Sequence, residues 1–199
     1  YELIELALYL SIPLRDVKPL AQALWHKYGS LQNICQRPVE ELRLLAGVGD
    51  QTLATFKTLH ALALELTKAP LKEMPLVNNT APHLIHHSRL RLLPPEIEQC
   101  LVYYVDQARQ LIMDEVHQIG TFDRLTIYPR EIVRSALNCN AVGMILVHNH
   151  PNGNPYPSSK DLIMTRKIKE MCQVFNITVH DHIIVAHDDY YSFQEKRVL

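Results

Sequence analysis

One short stretch of the chain, residues 148–161 with the sequence HNHPNGNPYPSSKD, carries two histidines and an aspartate that could bind a metal ion. It follows an apolar run of strand length, where alternate residues face the same side, so His148 and His150 present their imidazoles together. The Pro- and Gly-rich turn then folds the chain back and returns Asp161 toward them. Two nitrogens and one carboxylate oxygen, with water as fourth ligand, form the open site of a catalytic zinc, whose water has a pKa of about 7 and can attack a carbonyl.

These residues also have a purely structural interpretation. Two histidines at a strand end are often exposed or hydrogen-bonded side chains, and the His-x-His pair alone is weak evidence for a metal. Ser158 and Asp161 match Ser-x-x-Asp before an apolar helix, which is typical of a capping box whose acid is favoured by the helix dipole. A capping box does not account for the two histidines that precede it. The residues alone leave both interpretations open.

The same stretch resembles the JAMM motif of the JAB/MPN metalloprotease superfamily, His-x-His-Pro-x(6)-Ser-x-x-Asp, with each polar residue at its expected interval. Further likeness to the RadC branch of that superfamily lies in YPREIV at 128–133, Asn140-Ala141 before the histidine pair, DHII at 181–184 and YSF at 191–193. The similarity covers nearly the whole chain. RadC proteins usually carry serine after the proline of this motif, whereas this chain has Asn152, a change that leaves the ligands intact.

Enzymes with the JAMM motif use a glutamate at the start of the first strand of the domain as a general base. In this chain Glu98 occupies that place, immediately before QCLVYYVD. Glu115, inside the second predicted strand, and Glu131, in a first helical turn where an acid complements the helix dipole, fit the place less well.

The resemblance implies a zinc-dependent hydrolase that cuts a peptide or isopeptide bond in a peptide or protein substrate. In that mechanism a zinc ion held by His148, His150 and Asp161 polarises a water molecule. Glu98 takes the proton of this water, and Ser158 helps to hold the oxyanion. Iron or manganese stays open as an alternative metal, because a His/His/Asp set is borderline in softness.

The other histidines are assigned structural roles. The sequence His-Asp-His at 180–182, together with His187, could in principle bind a metal. The alternation of the surrounding residues and the resemblance of 181–184 to a structural strand of the family favour a plain strand. We expect His83, His86 and His87 to be solvated.

Residues 1–68 predict a small all-helical domain. Apolar residues recur there at helical spacing between turn signals, which indicates about four or five short helices. The proline-rich composition from Ala69 onward predicts a linker at 69–77, with one short helix around 84–90.

Residues 78–199 predict an α+β domain with a mixed sheet. Apolar runs of strand length lie at 100–105, 111–116, 125–128, 144–147, 177–179 and 183–186, and helical patterns lie at 130–139 and 160–175. Hairpin-like strand pairs favour a mixed sheet over a regular parallel one. The resemblance implies an MPN-like fold with the layering of cytidine deaminases.

Residues 44–54, LLAGVGDQTLA, resemble a helix-hairpin-helix, in which a turn built on Gly47 and Gly49 exposes backbone amides to a DNA phosphate. Asp50 follows that turn directly, and residues 1–68 balance seven Lys/Arg against seven Asp/Glu, so attraction to DNA is weak. A hairpin that only packs helices is the alternative. In RadC proteins the same domain precedes the JAMM-like one. The second functional hypothesis is thus a DNA-associated accessory or repair-related protein with a structural or vestigial metal site.

Composition excludes several classes of protein. With 47% hydrophobic and 21% charged residues among 199, the chain is neither disordered nor fibrous. The four cysteines form no CxxC pair and indicate no disulfide framework, and a net charge of −1 gives no overall attraction to nucleic acid or membranes. Apolar runs are far shorter than the ~20 residues of a spanning helix. We expect a soluble cytoplasmic protein; its first residue, Tyr1, is typical of a truncated sequence.

Overall fold

The computed structural model describes residues 1–76, 81–93, 96–117, 128–187 and 189–199. The chain divides into two compact units, Tyr1–Leu66 and Thr67–Leu199. Among the described residues, no helix combines the length and the apolar character that crossing a bilayer requires.

The first unit is all-helical, as predicted. Its core contains the buried side chains of Leu8, Leu24, Ile34 and Phe56. Four helices are short and a fifth is long: α1 (Glu2–Tyr9), α2 (Lys18–Tyr28), α3 (Leu31–Gln36), α4 (Val39–Arg43) and α5 (Asp50–Glu73). Gly29 ends α2 with φ of +75°, a conformation that favours glycine, and the Ser30 hydroxyl caps α3 by accepting the Asn33 amide at 3.0 Å.

Helix α5 corrects the predicted start of the linker. The sequence predicted a linker from Ala69, but the helix continues through Pro70 to Glu73. Proline costs a helix one backbone hydrogen bond, and here burial of the next residue, Leu71, in the core of the second unit offsets that loss. The predicted short helix is present as α6 (Ala81–Arg91), and the end of the predicted linker, Val77, lies outside the described residues.

A five-stranded mixed sheet forms the centre of the second unit, which confirms the predicted α+β architecture. Its strands are β1 (Cys100–Val105), β2 (Leu111–His117), β3 (Gly143–Asn149), β4 (Thr178–Ala186) and β5 (Asp189–Ser192), in the order β2-β1-β3-β4-β5. Only β3 and β4 are parallel. The two runs predicted at 177–179 and 183–186 belong to the single strand β4. A bulge opposite Met144 and Ile145 lets the polar centre of β4 stay paired with β3. Most of the strand predicted at 125–128 lies outside the described residues.

Helices cover both faces of this sheet. On one face α7 (Pro129–Asn138) and α8 (Ser159–Val174) pack on the even-numbered side chains of the central strands, such as Tyr104 and Leu146. On the other face α6 and the end of α5 pack on odd-numbered side chains such as Tyr103 and Val147. Because α8 connects the parallel strands β3 and β4, it begins beside the carboxyl end of β3. That arrangement brings the two ends of the 148–161 stretch together.

Among the described residues, Asp114 on β2 is the most buried carboxylate that pairs with lysine or arginine. Its side chain is 3% exposed, Arg91 Nε donates to Oδ2 at 3.1 Å, and Lys68 contacts Oδ1. Burial alone would raise the pKa of Asp114, but the hydrogen bonds and charges of Lys68 and Arg91 outweigh burial and lower it.

We therefore expect Asp114→Asn to lower the free energy of unfolding by about 2 kcal/mol at pH 7, since charged hydrogen bonds are lost. The folded-state pKa lies below the unfolded value, so this contribution is present above about pH 4 and is lost as the pH falls further. Urea unfolding of both proteins at pH 7 and pH 3 checks this. A difference of the same size at both pH values contradicts it.

Candidate metal centre

The two histidines predicted to share one side of a strand do so. His148 is the next-to-last residue of β3 and His150 follows the strand directly. Their Nε2 atoms lie 2.8 Å apart, and the His148 side chain is fully buried while that of His150 is 11% exposed. His148 therefore faces α8 at the carboxyl end of the central strand.

The turn after His150 fixes the orientation of its ring. His150 Nδ1 donates to the carbonyl oxygen of Asn154 at 2.6 Å, and the Gly153 amide donates to the His150 carbonyl at 3.1 Å. Gly153 has φ of +79°, and a Cβ there would lie 2.4 Å from the ring of His187, so glycine suits this position. A neutral His150 thus presents an unprotonated Nε2 to the site.

Asp161 reaches the same point from the first turn of α8. Its Oδ1 lies 3.6 Å from His148 Nε2, and its Oδ2 lies 3.5 Å from His150 Nε2. The capping box left open by the sequence is also present: Ser158 Oγ accepts the Asp161 amide at 3.3 Å, and Asp161 Oδ2 accepts the Ser158 amide at 2.7 Å. The cap and the candidate ligand are therefore one arrangement, because the cap aims the carboxylate at the histidines.

Ser158 contacts the carboxylate with its side chain as well. Its hydroxyl donates to Asp161 Oδ2 at 2.6 Å. The Ser158 hydroxyl therefore points its proton toward Asp161, where the hydrogen bond orients the carboxylate, and not toward a free oxyanion position.

Glu98 completes the group, just before β1. Its Oε1 lies 3.7 Å from His148 Nε2 and 4.0 Å from His150 Nε2, and its side chain is 30% exposed. The candidate ligand atoms of Glu98, both histidines and Asp161 all lie within 4.8 Å of one another.

The two other glutamates considered from the sequence are paired elsewhere. Glu115 Oε2 lies 3.2 Å from Nε2 of His117, its neighbour on β2. Glu131 forms ion pairs with Arg130 and Arg134 on α7. Neither belongs to the group of candidate ligands found in the described part of the chain.

Asn149, between the two histidines, holds Glu98 in place. The Gln99 amide donates to Asn149 Oδ1 at 2.8 Å, and Asn149 Nδ2 donates to the Ile97 carbonyl at 2.9 Å. One side chain thus bonds to the backbone on both sides of Glu98. Asn149 had no predicted role; the signal in the sequence is that it alternates with the histidines and so points to the opposite side of the strand.

The strand predicted around 181–184 is present in β4, and two other histidines are buried. His182 on β4 is fully buried, and its Nε2 lies 2.7 Å from Nδ1 of His148, so it lies directly behind a candidate ligand. His87 is 1% exposed and bonds to Thr67 Oγ1 through Nδ1 at 3.0 Å, so the expectation that it is solvated was wrong. Its neighbours on α6, His83 and His86, are exposed as expected.

The protonation states at the site suit a cation. Burial lowers the pKa of His148 well below its usual value, and the neighbouring His182 adds to this effect. Burial opposes ionisation of Asp161, but hydrogen bonds from His150 and Ser158 outweigh it and lower the pKa. Burial raises the pKa of Glu98. The site therefore combines a neutral imidazole, an ionised carboxylate and a carboxylate that takes up a proton readily.

His150 has the opposite tendency from His148. Burial lowers its pKa, but hydrogen bonds to Asp161 and to the Asn154 carbonyl outweigh burial and raise it. A second ring nitrogen 2.8 Å from Nε2 of His148 is favourable only if a proton or a metal ion lies between the two lone pairs. His150 can supply that proton, and a metal ion can replace it.

The donor set fits zinc. Zinc bonds of about 2.0–2.2 Å in a tetrahedron place neighbouring ligand atoms roughly 3.3–3.6 Å apart. Asp161 Oδ1 lies 3.6 Å from Nε2 of His148 and Asp161 Oδ2 lies 3.5 Å from Nε2 of His150, so each carboxylate oxygen is at that separation from one histidine, whereas the two histidine nitrogens, 2.8 Å apart, are closer.

The predicted phosphate-binding hairpin lies in the first unit. Gly47 has φ of +88°, and the Gly49 carbonyl accepts the Leu53 amide at 3.0 Å, so Gly49 lies at the start of α5. Asp50 in the first turn forms an ion pair with Arg43 at 3.0 Å. The carboxylate of Asp50 therefore lies next to the backbone amides that a phosphate would have to contact.

Comparison with known proteins agrees with this architecture. Residues 78–198 match a family model described as RadC-like JAB domain. The whole chain is also 38% identical, over 199 residues, to a UPF0758 protein of Ruegeria pomeroyi, of which it covers 88%.

We expect Asn149→Ala to release the segment that carries Glu98. Without the side-chain acceptor, the Gln99 amide should exchange its hydrogen roughly tenfold faster, because local opening no longer breaks that bond. Native-state hydrogen–deuterium exchange measures this. Asn152→Ala is the matched control, since Asn152 Oδ1 accepts the Asn154 amide within the exposed turn. Equal exchange at Gln99 in both variants contradicts the assigned role.

Proposed function

The chain belongs to the RadC family, and from that membership together with the site geometry we propose that its second unit is a zinc-dependent hydrolase of the JAMM type. The observation that carries the proposal is the convergence of Glu98, His148, His150 and Asp161 on one point. The substrate class we propose is a peptide or protein, cut at a peptide or isopeptide bond.

His148, His150 and Asp161 are the residues that hold the metal in this proposal. They supply two imidazole nitrogens and a carboxylate oxygen, which leaves a position for water. A zinc ion bound there would supply an acidified water and a Lewis acid that polarises a carbonyl.

Glu98 moves the proton. Its side chain is 30% exposed and its Oε1 lies close to both histidine Nε2 atoms, and burial raises its pKa, which favours a carboxylate that both accepts and returns a proton. It accepts a proton from the attacking water and delivers it to the leaving amine. Asn149 holds the backbone on both sides of Glu98 at that distance.

Ser158 positions Asp161 through the capping box. For the oxyanion contact that the family resemblance implies, its hydroxyl has to turn away from Asp161 Oδ2. We propose that it does so when substrate is bound, because the Ser158 amide continues to hold Asp161 at 2.7 Å.

Metal binding is tested first. We expect the protein purified without chelator to contain about one zinc per chain, by elemental mass spectrometry, since two imidazoles and a carboxylate suffice for a site. His148→Ala, His150→Ala and Asp161→Ala should each lose the zinc, while their circular dichroism spectra show that the fold is retained. His86→Ala, an exposed histidine of the same unit, is the control and should keep the metal. Zinc that stays bound in all three variants would place it elsewhere.

Catalysis is tested separately with Glu98→Gln. We expect the variant to keep its zinc but to lose about 10²–10⁴-fold in the rate of peptide-bond cleavage, because proton transfer is lost and the ligands remain. A library of fluorogenic peptides and isopeptide-linked conjugates gives the rate. Glu115→Gln, on the neighbouring strand, should be unaffected. If the wild-type protein binds zinc stoichiometrically but cleaves none of these substrates, the metal site is structural and the proposed hydrolase activity is refuted.

A further inference from the structure

A chain of buried hydrogen bonds lies behind His148. His148 Nδ1 lies 2.7 Å from His182 Nε2, and His182 Nδ1 lies 2.6 Å from Thr165 Oγ1. The chain ends where Thr165 Oγ1 meets the backbone carbonyl of Asp161 at 2.6 Å. His148 and His182 are fully buried and Thr165 is 4% exposed. The chain therefore connects the side chain of one candidate ligand to the backbone of another, with β4 and α8 between them.

The direction of the protons follows from the last contact. A carbonyl oxygen only accepts, so the hydroxyl of Thr165 donates its single proton to Asp161 O. Thr165 Oγ1 then accepts from His182, which places a proton on His182 Nδ1. A neutral His182 has no second proton, so its Nε2 accepts the proton of His148 Nδ1. His148 is left with an unprotonated Nε2.

We propose that Thr165 and His182 are positioning residues that hold His148 in the tautomer with its proton on Nδ1, so that its Nε2 lone pair faces His150. The importance of this for catalysis rests on the proposed function, but the tautomer itself does not. Metal-bound imidazoles are commonly oriented by a hydrogen bond from the other ring nitrogen, and such partners affect metal affinity. Here the partner is a neutral imidazole, which a threonine hydroxyl orients in turn.

The reversed chain is unfavourable. It would turn the Thr165 hydroxyl toward His182 and leave two oxygen acceptors, Thr165 Oγ1 and Asp161 O, in contact at 2.6 Å. It would also place a proton on His148 Nε2, at the point where the candidate ligands converge.

Packing prevents His182 from turning to avoid the chain. The ring of Phe193 stacks on it with a centroid distance of 4.5 Å and an angle of 21°. The centroid of the His148 ring lies 4.9 Å from that of His182, with an angle of 40° between the two rings. The plane of the His182 imidazole is therefore fixed by side chains from β3 and from the segment after β5.

The test is a direct reading of the tautomer. In the whole, metal-free chain labelled with ¹⁵N-histidine, long-range ¹H–¹⁵N NMR distinguishes protonated from unprotonated ring nitrogens. We expect Nδ1 of His148 and Nδ1 of His182 to be protonated. A His148 protonated on Nε2 with a bare Nδ1 overturns the proposal, whether or not the protein binds zinc.

Variants separate positioning from mere stability. Thr165→Val removes the hydroxyl at nearly constant volume and should lower zinc affinity about 10–100-fold and mix the tautomers of both histidines. Thr165→Ser keeps a hydroxyl at this position and should therefore keep both the zinc affinity and the histidine tautomers of the wild type. Ser88→Ala is the control: Ser88 is also buried on a helix, donates to the carbonyl of Leu84 at 2.7 Å, and bonds to the Tyr103 hydroxyl on the opposite face of the sheet.

We expect Ser88→Ala to lose stability without changing tautomer or zinc affinity. Unchanged tautomers and affinity in a folded Thr165→Val protein overturn the proposal. Failure of the hydrolase is distinguishable, because the histidine tautomers are read without metal, and zinc affinity is read without substrate.

Discussion

Nε2 of His148 and Nε2 of His150 lie 2.8 Å apart at the carboxyl end of a buried strand, and each ring uses its other nitrogen in a hydrogen bond that points away from the pair. Two lone pairs at that distance repel unless a cation lies between them. The surroundings meet this constraint: a helix cap fixes the carboxylate of Asp161 with an oxygen within 3.6 Å of each nitrogen, and Oε1 of Glu98 lies 3.7 and 4.0 Å from them. Either a proton on His150 or a metal ion satisfies the arrangement.

The fold delivers these groups from three places in the chain. The carboxyl end of β3 supplies the two histidines, the first turn of α8 supplies Asp161, and the segment before β1 supplies Glu98. Since β3 pairs with β1 on one side and with β4 on the other, the backbone register sets these separations. His182 lies next to this site because its strand, β4, is the parallel neighbour of β3. Rigid central strands are a suitable base for a site that tolerates errors of only a few tenths of an ångström.

Much of this could be predicted from the sequence, because the signals are local. Alternation places His148 and His150 on one side, and Ser-x-x-Asp marks the start of a helix that returns Asp161. The apolar runs of β1 and β3 and the amphipathic pattern of α7 and α8 likewise needed no knowledge of tertiary contacts. The choice of Glu98 came instead from the family resemblance.

The parts that escaped prediction depend on contacts distant in sequence. Asn149 contacts residues about fifty positions earlier, and His182 reaches His148 and Thr165 across two elements. His87 is buried by the surrounding fold although its neighbours on α6 are polar. Helix α5 continues past Pro70 because the side chain of Leu71 is buried in the core of the second unit. Local propensity cannot report such packing, since tertiary burial outweighs it.

The most direct test of the central claim is a crystal structure of the protein grown with zinc, measured on both sides of the zinc absorption edge. We expect one strong anomalous peak bonded to Nε2 of His148, Nε2 of His150 and a carboxylate oxygen of Asp161, with Glu98 Oε1 close by and not bonded. A peak at another place, or none at this one, would contradict it.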